Sequence, residues 1–122
     1  MNSRRFFAGV FALWLVVGAV AAQQQGFSAL ARFDAAGSEL RDKGRGISLE
    51  LALSQPVPWR VRLMADPPRL VLDLREVDWT GLAAMPRKSE RVTDLRAGVF
   101  RPGWSRLVMQ LSGPFSVTTA EM

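Results

Sequence analysis

From Ile47 to Leu53 apolar and other residues alternate. Ile47, Leu49, Leu51 and Leu53 fall on one side, and Ser48, Glu50 and Ala52 on the other. Period two is the mark of a half-buried strand. Pro56 and Pro58 then bend the chain. A second strand follows, in which Trp59, Val61 and Leu63 alternate with Arg60 and Arg62. Asp66-Pro67-Pro68 has turn composition. A third strand places Leu70, Leu72 and Leu74 opposite Arg69, Val71 and Asp73. Farther on, Val92 to Phe100 and Trp104 to Leu111 read as strands on either side of Arg101-Pro102-Gly103, and Phe115 to Thr119 begins another. Short strands separated by regularly placed turn residues define a β-sandwich or barrel.

The remaining segments carry less pattern. Phe27 to Asp34 alternates weakly, with Phe27, Ala29, Ala31 and Phe33 on one side. Ala35 to Gly46 holds three glycines and five charged residues, which predicts a loop. Val77 to Arg91 is irregular and predicts a long connection, with room for a short helical turn between Gly81 and Arg91.

Two stretches read alike. Ile47-Ser48-Leu49-Glu50-Leu51-Ala52-Leu53-Ser54-Gln55-Pro56-Val57 is echoed by Ser105-Arg106-Leu107-Val108-Met109-Gln110-Leu111-Ser112-Gly113-Pro114-Phe115. Each alternates into Leu-Ser-x-Pro and a large apolar residue. The first copy continues to Leu74, whereas the second reaches Met122 before any such continuation. The expectation is an all-β sandwich of two similar small antiparallel sheets, in pseudo-symmetric halves, with the second half truncated.

The first residues have a different character. Arg4 and Arg5 precede an apolar run from Phe6 to Val17, and small residues follow at Gly18, Ala19, Ala21 and Ala22. A basic start, an apolar helix and a small-residue cleavage site make residues 1–22 an export signal. The run is shorter than the roughly 20 residues of a membrane span, although a retained anchor is the alternative. Ser3-Arg4-Arg5-Phe6-Phe7 fits the twin-arginine pattern, and an ordinary Sec signal fits equally well. The expected organisation is therefore a signal over 1–22, a leader strand and loop over 23–46, and a β domain over 47–122. The expected location is periplasmic, with membrane contact only during export.

Composition narrows the chemistry. The 122 residues include no cysteine and no histidine. The chain thus lacks the residues of the usual zinc constellations and of His-based acid–base or nucleophilic catalysis. No catalytic residue, metal ligand or cofactor is expected. Net charge is +5, and setting aside Arg4 and Arg5 leaves a modest excess carried almost wholly by arginine. Such an excess favours anionic partners. An exported chain meets anionic cell-wall polymer or a membrane face rather than nucleic acid.

Arg96, Arg101 and Arg106 come together if the strands at Val92 and Trp104 pair as a hairpin. Guanidinium groups recognise carboxylates through two parallel bonds, and peptidoglycan stem peptides carry carboxylates. Trp104, beside the turn, has an apolar ring face on which a sugar can stack. These four residues are the candidate ligand contacts. The alternative is a solvated outer strand face with Trp104 as rim packing. Arg60 and Arg62 suit a solvated face, and Asp73 suits a sheet-face residue paired with Arg60 or Arg62.

Arg69 to Leu74 and Leu95 to Pro114 resemble the AMIN domain of bacterial N-acetylmuramoyl-L-alanine amidases, found also in type IV pilus secretins. The family pattern is roughly Arg-x-Gly-x-Phe-x-Pro-x-x-x-Arg-Val-Val-x-Asp-Leu-Ser-Gly-Pro. Arg96, Gly98, Phe100, Pro102, Arg106, Leu111, Ser112, Gly113 and Pro114 occupy matching positions, with Gln110 where Asp is common. The resemblance spans about Gly46 to Thr119. It implies a β-sandwich that binds peptidoglycan and places its parent at the division site, together with other envelope or divisome proteins. It also implies that amidase chemistry would sit in a separate zinc domain. The alternative it carries is a protein-interaction module of a secretin-like envelope protein.

Overall fold

A computed structural model describes residues 30–122. The expected signal helix, cleavage site and first leader residues, including Phe27 and Ala29, lie outside the described residues. The described chain is all-β, with eight strands and one short 3-10 turn at Leu82–Ala84. The strands are β1 (Ala31–Lys43), β2 (Gly46–Leu53), β3 (Trp59–Met64), β4 (Arg69–Arg75), β5 (Val77–Asp78), β6 (Arg87–Lys88), β7 (Val92–Arg101) and β8 (Trp104–Leu111). They form two sheets. In the first, β1 lies between β2 and the short parallel partners β5 and β6. The second has the order β3-β4-β8-β7 and is antiparallel throughout. Among the described residues no helix is long and apolar enough to cross a membrane.

Alternation explains which side faces the core. Leu74 on β4, Leu95 on β7, and Leu107, Met109 and Leu111 on β8 are buried between the sheets. From the first sheet they meet Ala31, Phe33 and Leu40, with Leu49, Leu51 and Leu53 packed at the edge of the cluster. The connection after β4 adds Val77, Met85 and Trp79, whose ring lies 5.5 Å from that of Phe33.

Three expectations fail. The sheets are not both antiparallel, because β5 and β6 pair with β1 in parallel. The loop expected over 35–46 is mostly strand, because β1 runs to Lys43 and only a tight turn at Gly44 separates it from β2. The low-pattern residues form a bulge: between the pairs Asp34↔Ala52 and Glu39↔Glu50, β1 carries extra residues. Buried positions accordingly switch from Ala31 and Phe33 to Ser38 and Leu40. The bulge satisfies its own polar groups. Ser38 Oγ accepts from the Ala52 N–H at 2.8 Å and donates to the Asp34 carbonyl at 2.7 Å, while Asp34 Oδ1 accepts from the Ala36 N–H. Glycine fits closely there: a Cβ at Gly37 would lie 3.1 Å from both the Ala52 side chain and the Asp34 carboxylate, so a larger residue would push these neighbours aside. The strand expected at Phe115 to Thr119 is also absent, as residues 114–122 carry no regular structure. Phe115 packs against the core, but no neighbouring strand pairs with it.

The connection between β4 and β7 is tied down by a polar clasp. Asp42 accepts from the Ser89 hydroxyl at 2.6 Å and from the Glu90 N–H at 3.0 Å. Arg91 donates to the carbonyls of Gly44 and Gly46, both at 3.0 Å. The end of the first sheet is thereby fastened to the start of β7.

Candidate functional site

The outer face of the second sheet concentrates charge. Register places Arg60, Asp73, Arg106 and Gly98 in one row across β3, β4, β8 and β7. The next row holds Arg62, Val71, Val108 and Arg96. Asp73 is at the centre, and its side chain is 2% exposed although it points away from the core. Its own partners cover it. Arg106 donates through Nε to Oδ1 at 2.7 Å and through Nη2 to Oδ2 at 3.2 Å, a bidentate pair. Arg60 Nη2 donates to Oδ2 at 3.3 Å, and Arg62 Nη2 lies 3.9 Å from the same oxygen.

Aromatic rings extend this cluster toward the β7–β8 turn. The Arg106 guanidinium lies 3.8 Å from the centre of the Phe100 ring. Arg101 lies 5.2 Å from the Phe100 ring and 6.0 Å from that of Trp104. Arg75, at the end of β4, lies 5.4 Å from the Trp104 ring. Contacts of this kind are cation–π interactions. A bulge in β7 builds the arrangement: Val99 pairs with Ser105 and Arg101 with Trp104, so Phe100 is the extra residue. Bulges commonly re-aim a side chain in this way. Gly103 closes the turn with φ +80, a conformation that favours glycine, and its carbonyl accepts from the Glu76 N–H at 2.9 Å.

The four residues singled out from sequence have different situations. Arg101 and Trp104 stand side by side at the turn. Arg106 joins them through Phe100 but is engaged by Asp73. Arg96 is separate, with a largely exposed side chain 3.7 Å from the Asp94 carboxylate. Arg75 and Phe100 belong to the cluster and are absent from that group of four. Arg75 was detectable as the next same-face position after Asp73 on β4. Phe100 stands in the family pattern, but only the bulge brings it over Arg106.

Electrostatics follow from the geometry. The Arg106 hydrogen bonds hold the Asp73 carboxyl below its ordinary value of 3.8; burial opposes them, and Arg60 and Arg62 assist. The same pair raises the Arg106 guanidinium above its ordinary value. The folded chain therefore releases the Asp73 proton more readily than the unfolded chain does. Stability from this group is complete at pH values above the unfolded carboxyl value and is lost as pH falls through the lower folded value. Denaturant titrations from pH 6 downward are expected to show stability declining below about pH 4. Asp73→Asn is expected to flatten part of that decline. The rest comes from Asp42, lowered chiefly by the Ser89 hydroxyl, and Asp78, lowered chiefly by the Thr80 hydroxyl. An unchanged pH profile in the Asn variant would contradict this account.

Among the described residues no group of three or more His, Cys, Asp or Glu side chains is placed to hold a metal ion. Comparison of the chain with protein-family models, with curated proteins and with solved structures finds no match.

Proposed function

We propose that this chain is a non-catalytic peptidoglycan-binding module that acts in the periplasm, and that its ligand surface is the outer face of the second sheet. One observation carries the reading: Trp104 stands between two arginines, Arg75 and Arg101, beside a cluster whose only buried carboxylate is already neutralised. Arg106 is the keystone of that cluster, and Arg75 and Arg101 are the cations left for a ligand. The two guanidinium groups suit stem-peptide carboxylates, and the indole suits an adjacent sugar ring. The resemblance to AMIN domains supports the same ligand, septal localisation, and an exported zinc-dependent amidase as parent.

Sedimentation with purified sacculi tests the reading. The protein is expected to co-sediment, with retention falling as salt rises because the contacts are exposed and charged. The double substitution Arg75→Ala, Arg101→Ala is expected to weaken binding about tenfold, since two exposed charge pairs at up to about 1 kcal/mol each sum to roughly 1.4 kcal/mol. Retention no greater than that of an unrelated basic β domain at matched salt would refute the proposal.

A further inference from the structure

The sequence echo and the strand pairing together point to a second binding site, on the free edge of β2. The two echoed stretches are β2 and β8, which lie in different sheets. Each is hairpin-paired to the strand before it, β1 or β7. On its other side β8 pairs with β4 along seven residues, from Arg69↔Gln110 to Arg75↔Trp104. Among the described residues no strand pairs with the other side of β2.

Burial shows what this difference does. In the echo Leu49, Leu51 and Leu53 correspond to Leu107, Met109 and Leu111. The β8 residues are 0%, 4% and 5% exposed. Their β2 counterparts are all only partly buried. The alternation is the same and the inward direction is the same. Among the described residues β2 has no flanking strand to complete the cover. An edge strand with an apolar inner side and free backbone groups is a template for strand addition.

We propose that the β2 edge accepts an extended polypeptide segment in antiparallel register, the counterpart of β4 on β8. Transferring the β4–β8 register to β2 specifies the segment. Three large apolar residues at alternate positions would oppose Leu51, Leu49 and Ile47 and lie on the core side. The residue between the first two would oppose Glu50, the only charged residue of β2 and exposed. Opposite charges across a strand pair stabilise and like charges destabilise, so that residue is basic. The partner is thus a β-strand with alternating leucine-like residues and one arginine or lysine. The inference rests on pairing and echo and does not depend on the arginine face of the other sheet.

Fluorescence anisotropy with the full chain tests it. The probe is a labelled peptide of about ten residues with leucine at three alternate positions and arginine opposite Glu50. It is expected to bind about tenfold more tightly than a scrambled peptide of the same composition, because both register and hydrogen bonding are specific. N-methylation of its ladder-forming amides should abolish the difference. Glu50→Lys, at an exposed position, should reverse the preference toward a peptide with aspartate in place of arginine. Equal binding of the scrambled or N-methylated peptide would overturn the proposal. So would self-association of the chain that the peptide competes away, which would assign the edge to a second copy.

Discussion

Asp73→Ala is expected to destabilise the fold by about 3 kcal/mol, the cost of removing one partner from a buried ion pair. For a domain of this size that corresponds to a fall in Tm of roughly 12–24 °C. The reason lies in how the carboxylate is buried. It is on the outward side of β4, and the guanidinium groups of Arg60, Arg62 and Arg106 close over it. Without it, three like charges remain within the space of one carboxylate. Nothing else in that row offers them an acceptor, since the position across from Arg106 on β7 is Gly98. Arg60→Ala and Arg62→Ala provide the contrast. Their side chains are 65% and 43% exposed, so each is expected to cost under about 1 kcal/mol. Urea unfolding of the three variants measures the hierarchy. A loss for Asp73→Ala no larger than for Arg60→Ala would mean that the carboxylate is solvated and the cluster is not a unit.

Leu107→Ala is expected to cost about 3–4 kcal/mol, in the range of leucine truncations at fully buried sites. Leu107 is 0% exposed and faces Leu72 on one side and Ala97 on the other. Leu49→Ala, at the echoed position on β2, is expected to cost about 1–2 kcal/mol, because a leucine that is only partly buried has less buried area to lose. The comparison isolates context from residue type, since both substitutions remove the same atoms from the same point of the same motif. Chemical denaturation with matched m-values decides it. Equal costs would show that the edge of the first sheet is as well covered as the centre of the second.

The two predictions draw on different levels of the chain. Strands β2, β3, β4 and β8 were legible because their residues alternate without interruption. Their ends differ from the expected ones by a residue or so. β1 was not legible beyond Asp34. Ala35-Ala36-Gly37-Ser38 has the composition of a loop, and only the three-dimensional pairing shows Ser38 and Asp34 completing a bulge. Phe115 to Thr119 failed in the opposite way. Its alternation is real, but a strand also needs a neighbour, and periodicity says nothing about one. Asp73 was legible as an arginine-paired sheet residue. Its closest partner was not, because Arg106 is 33 residues away and meets it only through the β4–β8 register. For the same reason Arg106 looked free in sequence, while Arg75, which lies beside Trp104, drew no attention.

The position of β1 has a mechanical consequence. It is the long inner strand of its sheet, gripped by β2 along one side and by β5 and β6 along the other. Tension entering at Leu30 would run along the strand axis and load these backbone bonds in parallel, as shear. They would have to fail together and could not be peeled apart one at a time. The domain is therefore expected to resist a pull from its amino-terminal side, while residues 114–122, which join neither sheet, are expected to yield first to a pull from the other.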